Sequence, residues 1–204
     1  MSLLETLFAP RRVALVGASD RAGSLGHLLV GNLAGYSGEV VHVRSGGSLR
    51  DVEGHIDLAV VAVPASAVPA VAADAAAAGV SAMVVLSGGF AETGAQGALR
   101  QRELLDAAAS GPPSADGTPA RVRVIGPNCF GLQNCDLGFN ASIAAVLPTG
   151  GGGISLVTQS GAYGMAIYDL AHDDHVRFAK VCAPGNTSDV TVTELVGELA
   201  DDPA

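Results

Sequence analysis

The sequence predicts an α/β protein built around a parallel β-sheet. Its apolar runs are short and rich in valine, and they alternate with alanine-rich stretches that suit helices, which is typical of strands buried on both faces. The 204 residues are 49% hydrophobic but only 4% aromatic, so the core is expected to consist mainly of alanine, valine and leucine. This length fits one large domain, or one domain and part of another.

The first part of the chain is expected to contain strands separated by helices. The strands are predicted at Val13–Val16, Val40–Val43, Leu58–Val63, Met83–Leu86 and Val122–Ile125. The helices are predicted at Gly26–Leu33, Ala67–Ala78 and Gly97–Ala109. Glycine, proline, serine and aspartate concentrate between Ser110 and Ala120, which predicts a surface loop.

A second αβ unit is expected after the segment Leu147–Gly153, whose four consecutive glycines carry no preferred conformation. Its elements are predicted at Ile154–Val157 (strand), Ala162–Ala171 (helix), Val176–Val181 (strand) and near Val190–Leu199 (helix). Two parallel strands and two helices are too few to close a doubly wound domain. We therefore expect open strand edges and uncovered helix faces in this unit.

Three of the predicted strands end in a glycine-containing elbow. The elbows lie in the segments Val13–Ser19, Val122–Gly131 and Ile154–Gly164. Such turns leave backbone N–H groups without partners at the carboxyl end of a strand, where open parallel sheets bind phosphates and other anions. Taken singly, each elbow also fits the ordinary turn between a buried strand and a helix.

A glycine-rich turn without the full dinucleotide fingerprint follows the first strand, from Gly17 to Gly26. Gly17, Gly23 and Gly26 suit the lining of a pyrophosphate site, but Ser19 stands where the fingerprint has its second glycine. At the end of the second strand an NAD site has an acidic residue for the ribose 2′-hydroxyl, whereas this chain has Arg44. A cation there suits a ribose phosphate, which both NADP and CoA carry, although Arg44 also fits a solvated strand end.

Taken in order, the three elbows resemble one family, the CoA-binding subunit or region of the nucleoside-diphosphate-forming acyl-CoA synthetases. That family includes the α subunit of succinyl-CoA synthetase and the ADP-forming acetyl-CoA synthetases. The resemblance covers nearly the whole chain and is most specific at Ile125–Gly131 and Thr158–Ala162. It implies a Rossmann-like CoA-binding domain over residues 1–146, a glycine-rich hinge at 147–153, and the start of an incomplete flavodoxin-like domain over 154–204. A second domain only begun implies a truncated piece, a split subunit or a degenerate homologue.

The resemblance decides the ribose phosphate in favour of CoA and implies a set of contact residues. The residues expected to contact CoA are Gly17, Ser19, Gly23, Gly26, Arg44, Val63, Pro64, Ser87, Gly88, Phe90, Glu92, Asn128 and Cys129. Cys129 would lie near the CoA thiol as a lining residue rather than a nucleophile, because no histidine is tied to it to lower its pKa. Glu92 also suits a helix N-terminus, where acids are favoured. After its second strand the family usually has an Asn-Pro or Pro-Lys turn, whereas this chain has a shorter loop, Arg44–Ser48.

The third elbow is expected to hold an anion at Ser160, Gly161 and Ala162, where a helix opens after a strand. In the family this helix N-terminus steadies the phosphate of a phosphohistidine, which shuttles phosphoryl from the nucleotide to the acid. The shuttling histidine and an ATP-grasp region are missing from this sequence. We therefore expect no catalytic residue here, and Mg-nucleotide binding only in the complete enzyme. Ser160 also fits a simple helix N-cap.

Composition argues against several other classes of protein. The net charge is -9 with a single lysine, so a nucleic-acid surface is not expected. No run of eighteen apolar residues and no signal peptide are recognised, which predicts a cytoplasmic protein without a membrane span. The three cysteines lack zinc-site spacing, and His172–His175 offers only two candidate ligands, so no metal site is expected.

The function implied by the resemblance is that of a CoA-binding portion of an acid–thiol ligase. The complete reaction converts an acid, CoA and a nucleoside triphosphate into acyl-CoA, nucleoside diphosphate and phosphate. An ATP-grasp subunit or domain and the remainder of the second domain are the implied partners. Two alternatives stay open. One is a regulatory module that senses acyl-CoA or nucleotide, as in regions fused to N-acetyltransferases, and the other is an NADP-dependent oxidoreductase, which Arg44 allows and the altered glycine pattern disfavours.

Overall fold

The computed structural model describes residues 1–113, 120–173 and 175–202. The helices are α1 (Leu3–Phe8), α2 (Leu25–Leu33), α3 (Val68–Ala77), α4 (Ala95–Ala108), α5 (Gly161–Asp173) and α6 (Val192–Ala200). The strands are β1 (Arg12–Val16), β2 (Glu39–Val43), β3 (Leu58–Val61), β4 (Ala82–Val85), β5 (Arg123–Ile125), β6 (Gly131–Asn134), β7 (Phe139–Ser142), β8 (Ile154–Val157) and β9 (Phe178–Ala183). Much of the surface loop predicted at Ser110–Ala120 lies outside the described residues, since positions 114–119 are not among them.

The first sheet contains five parallel strands in the order β2-β1-β3-β4-β5. This is a doubly wound arrangement, in which the chain reverses its direction of travel between β1 and β3. Val13 and Leu15 of β1 face one core with α1 and α2, while Ala14 and Val16 face a second core with α3 and α4. Burial on both faces explains why these strands are continuous apolar runs. The predicted α/β fold class is confirmed.

The second sheet is mixed, with the strand order β7-β6-β9-β8. β8 and β9 pair in parallel as the sequence predicts, but the hairpin β6–β7 adds two antiparallel strands beside β9. The expectation of open strand edges in the second unit was therefore wrong at β9, which is paired on both sides, while β8 ends the sheet among the described residues. The hairpin lies within the stretch assigned to the first domain, so one sheet draws on both parts of the chain.

The glycine-rich linker at 147–153 packs against the second sheet. The Phe178 N–H donates to the Thr149 carbonyl oxygen over 3.1 Å, and the Gly151 N–H donates to the Asp136 carboxylate. A Cβ on Gly152 would lie 1.9 Å from the carbonyl oxygen of Arg177, so only glycine fits there. These contacts position the start of β8 beside β9. The predicted division into domains at this linker stays a prediction.

A buried carboxylate joins β5 to the segment before α6. Asp189 accepts hydrogen bonds from Arg121 over 2.6 Å and from Arg123 over 3.1 Å, and from the Val124 N–H over 2.8 Å. Arg123 also bonds both carboxylate oxygens of Glu194, at 3.0 Å each, in the first turn of α6. Charge-assisted bonds of this kind are stronger than neutral ones. They hold α6 against the edge of the first sheet.

Candidate functional site

An open cleft of about 870 Å³ lies at the carboxyl ends of β1, β2 and β3. This is the point where the strand order reverses, which is where doubly wound sheets bind ligands, and the volume is typical of small-molecule sites. Seven predicted contact residues line it, namely Gly17, Ser19, Gly26, Arg44, Val63, Pro64 and Ser87. Further lining residues that the sequence interpretation missed are Arg21, Ser24 and Ser45 to Gly47.

Two glycines bring the β1 turn and the start of α2 into direct contact. Gly17 has φ +93°, which favours glycine, and a Cβ there would lie 2.7 Å from the Ala62 carbonyl oxygen. A Cβ on Gly26 would lie 2.0 Å from the Gly17 carbonyl oxygen. These are the roles of the turn glycine and the packing glycine of a dinucleotide fingerprint. Gly23 differs, because a Cβ there would meet nothing within 4 Å, and its φ of +77° is its only special feature.

The N-terminus of α2 opens onto this cleft. Ser24 is the N-cap, and its side-chain oxygen accepts from the His27 N–H over 3.2 Å and donates to the Arg21 carbonyl oxygen over 2.7 Å. Ser19 accepts from the Arg21 N–H over 3.1 Å and shapes the turn. A capped nine-residue helix has a partial positive charge at this end, which favours an anion beside it. Ser24 could have been found from the sequence, because a serine directly before an apolar helical stretch is a helix start signal.

Arg44 lies at the rim of the cleft and is paired with an acid. Its guanidinium donates two hydrogen bonds to the Asp20 carboxylate, at 2.7 and 3.0 Å. Both side chains are solvent-accessible, with 53% of Arg44 and 81% of Asp20 exposed. The hydrogen bond from Arg44 and its positive charge lower the pKa of Asp20 below its ordinary value. Arg44, the cation expected for a ribose phosphate, therefore lies at the cleft, and its guanidinium N–H groups are hydrogen-bonded to the Asp20 carboxylate.

The middle elbow adjoins the cleft through Ser87. Gly126 has φ +100°, its bond to Pro127 is cis, and Asn128 has φ +56°. The Asn128 N–H donates to the Ser87 carbonyl oxygen over 2.9 Å, while the Ser87 hydroxyl donates to the carbonyl oxygen of Val63. These bonds join the ends of β3, β4 and β5. Val63, Ser87 and Asn128 therefore follow one another along the sheet edge.

Cys129 lies behind this edge rather than in the cleft. The side chain is 5% exposed, and its thiol donates to the Val85 carbonyl oxygen over 3.2 Å. Burial raises the pKa of the Cys129 thiol to about 12. A thiol with so high a pKa stays protonated near neutral pH and is a poor nucleophile. Contact between Cys129 and a ligand stays a prediction.

A polar cluster lies at the ends of β4, β5 and β9. Asn186 donates to Glu92 over 2.6 Å and to Gln101 over 3.0 Å, and its side-chain oxygen accepts from Asn128 over 3.3 Å. Burial raises the pKa of Glu92, but hydrogen bonds from Asn186 and the Phe90 and Gly89 N–H groups outweigh that effect and lower it. The predicted residues Glu92 and Asn128 are thus brought together by Asn186, which the sequence interpretation left out.

Two other predicted residues near the cluster have structural surroundings. Gly88 lies beside it, since a Cβ there would be 3.1 Å from the Asn128 side-chain oxygen. Phe90 is fully buried and packs in the core beneath α3 and α4. Its side chain fixes the turn that carries Gly88 and Glu92. A ligand contact for these residues stays a prediction.

The third elbow reaches the same edge from the second sheet. Ser160 precedes α5, and its side-chain oxygen accepts from the Tyr163 N–H over 3.3 Å, as an N-cap does. A Cβ on Gly161 would lie 2.7 Å from the Phe130 ring, so glycine lets α5 begin directly against the residue after Cys129. Ala162 is exposed. The first turn of α5, a helix of 13 residues, therefore adjoins the middle elbow.

Together the three elbows lie along one edge of this doubly wound α/β protein. The glycine turn, the helix N-terminus and the arginines at the strand-order reversal are features with which doubly wound proteins hold phosphate-bearing ligands of nucleotide size. Comparison with known families agrees. Residues 11–134 match the model of a family described as "CoA binding domain", and the chain belongs to that family. Residues 151–204 match the "Succinyl-CoA ligase like flavodoxin domain" model.

Relatives resemble the chain along almost its whole length. It is 30% identical over 98% of its length to acetate–CoA ligase [ADP-forming] II subunit alpha of Pyrococcus furiosus, and spans 44% of that protein. It is 32% identical over 98% of its length to acetate–CoA ligase [ADP-forming] of Methanocaldococcus jannaschii, and spans 28% of it. The structure of Ca. Korarchaeum cryptofilum dinucleotide forming acetyl-coenzyme A synthetase 1, with phosphate and ADP, matches with a TM-score of 0.85 at 29% identity, over 100% of this chain and 44% of that one. The chain thus spans less than half of each relative.

Two absences concern the described residues only. None of their His, Cys, Asp and Glu side chains form a group of three or more that could hold a metal ion. The His172–His175 segment includes position 174, which lies outside them. No helix in the described part is long and apolar enough to cross a membrane.

Proposed function

We propose that this chain is the CoA-binding portion of a nucleoside-diphosphate-forming acyl-CoA synthetase and that it forms no thioester alone. The complete enzyme joins an acid to CoA at the expense of a nucleoside triphosphate, releasing nucleoside diphosphate and phosphate. The observation that carries this proposal is the cleft at the strand-order reversal, where Gly17, the α2 N-terminus and Arg44 converge in a member of the CoA-binding domain family.

CoA would lie along the sheet edge with its phosphates in the cleft. The diphosphate suits the Gly17 turn and the capped N-terminus of α2, because free N–H groups and the helix dipole favour negative charge. The ribose 3′-phosphate suits Arg44, whose planar fork matches phosphate oxygens. The pantetheine arm would then pass Val63 and Ser87.

The thiol end would reach the middle and third elbows. Asn128 follows Ser87 along the edge, and Gly161 packs against Phe130 just beyond. A reactive acyl phosphate must meet the thiol, so an anion site at Ser160–Ala162 is in the right part of the molecule. The N-terminus of α5 would steady that phosphate.

The remaining parts of the reaction would come from outside these residues. The relatives named as acetate–CoA ligases are more than twice as long as this chain. We infer that an ATP-grasp subunit or domain, a phosphorylatable histidine and the remainder of the second domain complete the enzyme in the cytoplasm. Mg-nucleotide would bind to that complete assembly.

Calorimetric titration of the purified chain tests the ligand. We expect CoA to bind more tightly than NADP, NAD or dephospho-CoA, and Arg44→Ala to weaken CoA by about 1–2 kcal/mol while leaving dephospho-CoA unchanged. Equal or tighter binding of NADP would overturn the CoA assignment.

Incubation with γ-labelled ATP or GTP and magnesium tests whether the chain alone is phosphorylated or forms a thioester. We expect no acid-labile phosphate on the protein and no acyl-CoA, because the phosphoryl-carrying histidine is not recognised in this sequence. Labelling of His172 or His175 would show that the chain is an enzyme in its own right.

A further inference from the structure

Asp20 is the acidic side chain at the mouth of the cleft. It belongs to the turn between Gly17 and the α2 N-cap, next to Ser19, which lines the cleft. The residues lining the cleft, all in the described part of the chain, include the cations Arg21 and Arg44 and no acid. Asp20 itself does not line the cleft, so its carboxylate contacts Arg44 at the rim.

This carboxylate holds Arg44 as a phosphate would. Two hydrogen bonds, at 2.7 and 3.0 Å, join the two terminal nitrogens of the guanidinium to the two oxygens of Asp20. Phosphate groups use the same pair of donors in bidentate recognition. Asp20 and a ribose phosphate monoester are thus alternative partners for one arginine.

The pair is weak enough to exchange partners. Both side chains are largely exposed, and exposed ion pairs contribute little stability because solvent screens them. A phosphate monoester carries more negative charge than a carboxylate near neutral pH, so it is the stronger partner.

We propose that Asp20 is an internal competitor for the ribose phosphate at Arg44, and that it sets how strongly the cleft prefers CoA to dephospho-CoA. This inference rests on the proposed function, because it takes the cleft as the CoA site. Asp20 reduces the binding free energy that the 3′-phosphate contributes, and it leaves the contribution of the rest of the ligand unchanged. It therefore lowers the preference for CoA over dephospho-CoA.

Calorimetry on the full chain separates these effects. Titrations with CoA and dephospho-CoA would compare wild type with Asp20→Asn, Arg44→Gln and the double variant. Asp106→Asn is the matched control, because this exposed aspartate on α4 changes the net charge equally and lies outside the cleft. Asp20→Asn is expected to bind CoA about fivefold more tightly, the scale of a lost surface ion pair, and dephospho-CoA as wild type does.

The two other variants complete the cycle. Arg44→Gln and the double variant are expected to bind CoA with equal affinity, because Asp20 acts only through Arg44. Unchanged or weaker binding of CoA to Asp20→Asn, with dephospho-CoA still bound, would overturn the competitor role and leave the CoA site standing. Failure of wild type to bind either ligand would overturn the CoA site itself, and with it this role. Thermal unfolding of each variant confirms that it is folded.

Discussion

Gly26, in the first turn of α2, packs so close to Gly17 that a Cβ on Gly26 would lie 2.0 Å from the Gly17 carbonyl oxygen. The helix can pack this close to the end of β1 only because residue 26 has no side chain. The contact fixes the turn that forms the floor of the cleft. The first turn of α2 and the turn at Gly17 are therefore packed together and cannot move independently.

Gly26→Ala is expected to lower the free energy of unfolding by about 1–3 kcal/mol, since the backbone must move apart to admit a methyl group. Gly31→Ala is the matched control in the same helix, because a Cβ there meets nothing within 4 Å. It is expected to stabilise by up to about 1 kcal/mol, as alanine is the better helix former. Urea unfolding of both variants checks this, and a Gly26→Ala protein as stable as wild type would contradict the close contact.

Asp189→Ala is expected to destabilise the protein by about 1–3 kcal/mol, because it removes the partner that Arg121 and Arg123 share and leaves the Val124 N–H without an acceptor. The effect should appear in the midpoint of urea unfolding followed by circular dichroism. Asp201→Ala removes an acid near the end of α6 and serves as the control. Equal midpoints for the two variants would show that the Asp189 contacts contribute no stability.

Glu92 is expected to stabilise the protein in a pH-dependent way. Its pKa is lowered in the folded state, so its contribution is present above the ordinary glutamate pKa and is lost as pH falls through the lowered value. The difference in unfolding midpoint between wild type and Glu92→Gln should therefore be larger at pH 7 than at pH 3. A difference that grew on acidification would contradict this sign.

The native thiols are expected to react slowly with a thiol reagent at pH 8. All three cysteines are buried, and burial raises the pKa of Cys129 and Cys135 to about 12. Unfolding in urea should release three fast-reacting thiols. Fast modification of Cys129 in the folded protein would contradict its burial and would revive a role as nucleophile.

The parallel sheet could be predicted from the sequence because its strands are buried on both faces. Leu58–Val61, for example, has every residue buried and is accordingly an unbroken apolar run. Helix α1 was missed, although Ser2 and Glu5 form the capping box that marks a helix start. Its brevity conceals it, since six residues provide little periodicity.

The hairpin β6–β7 could not be predicted from alternation of polar and apolar residues. Gln133 and Asn134 of β6 are buried despite being polar, because their amides are satisfied by partners far along the chain or across the hairpin. Asn134 donates to the Phe8 carbonyl oxygen over 3.0 Å, and Gln133 donates to Asn140 over 3.2 Å. Such partners exist only in the folded protein, so the pattern resembles a loop.

Candidate site residues could be predicted where they directly follow a recognisable strand. They were missed where the contact joins strands that are far apart in the sequence. Gly17, Gly26 and Arg44 follow strands whose order along the chain implies a common edge. Asn186 contacts Glu92 only because β9 ends beside β4 and β5. The elbow Pro184–Asn186 is visible in the sequence, but the strands that it meets are not. Asp20 carries no signal in the sequence, because only the folded structure brings its carboxylate to Arg44.

The β6–β7 hairpin makes the glycine-rich linker a poor place to separate the molecule. A fragment ending at residue 146 would keep β6 but lose β9, so a row of backbone donors and acceptors would face solvent and invite self-association. A protease cut at the linker would have the opposite result, because both pieces would stay joined by the ladder between β6 and β9. Two co-expressed fragments, divided at the linker, are therefore expected to associate without a covalent bond. Their association would show that the second sheet has formed.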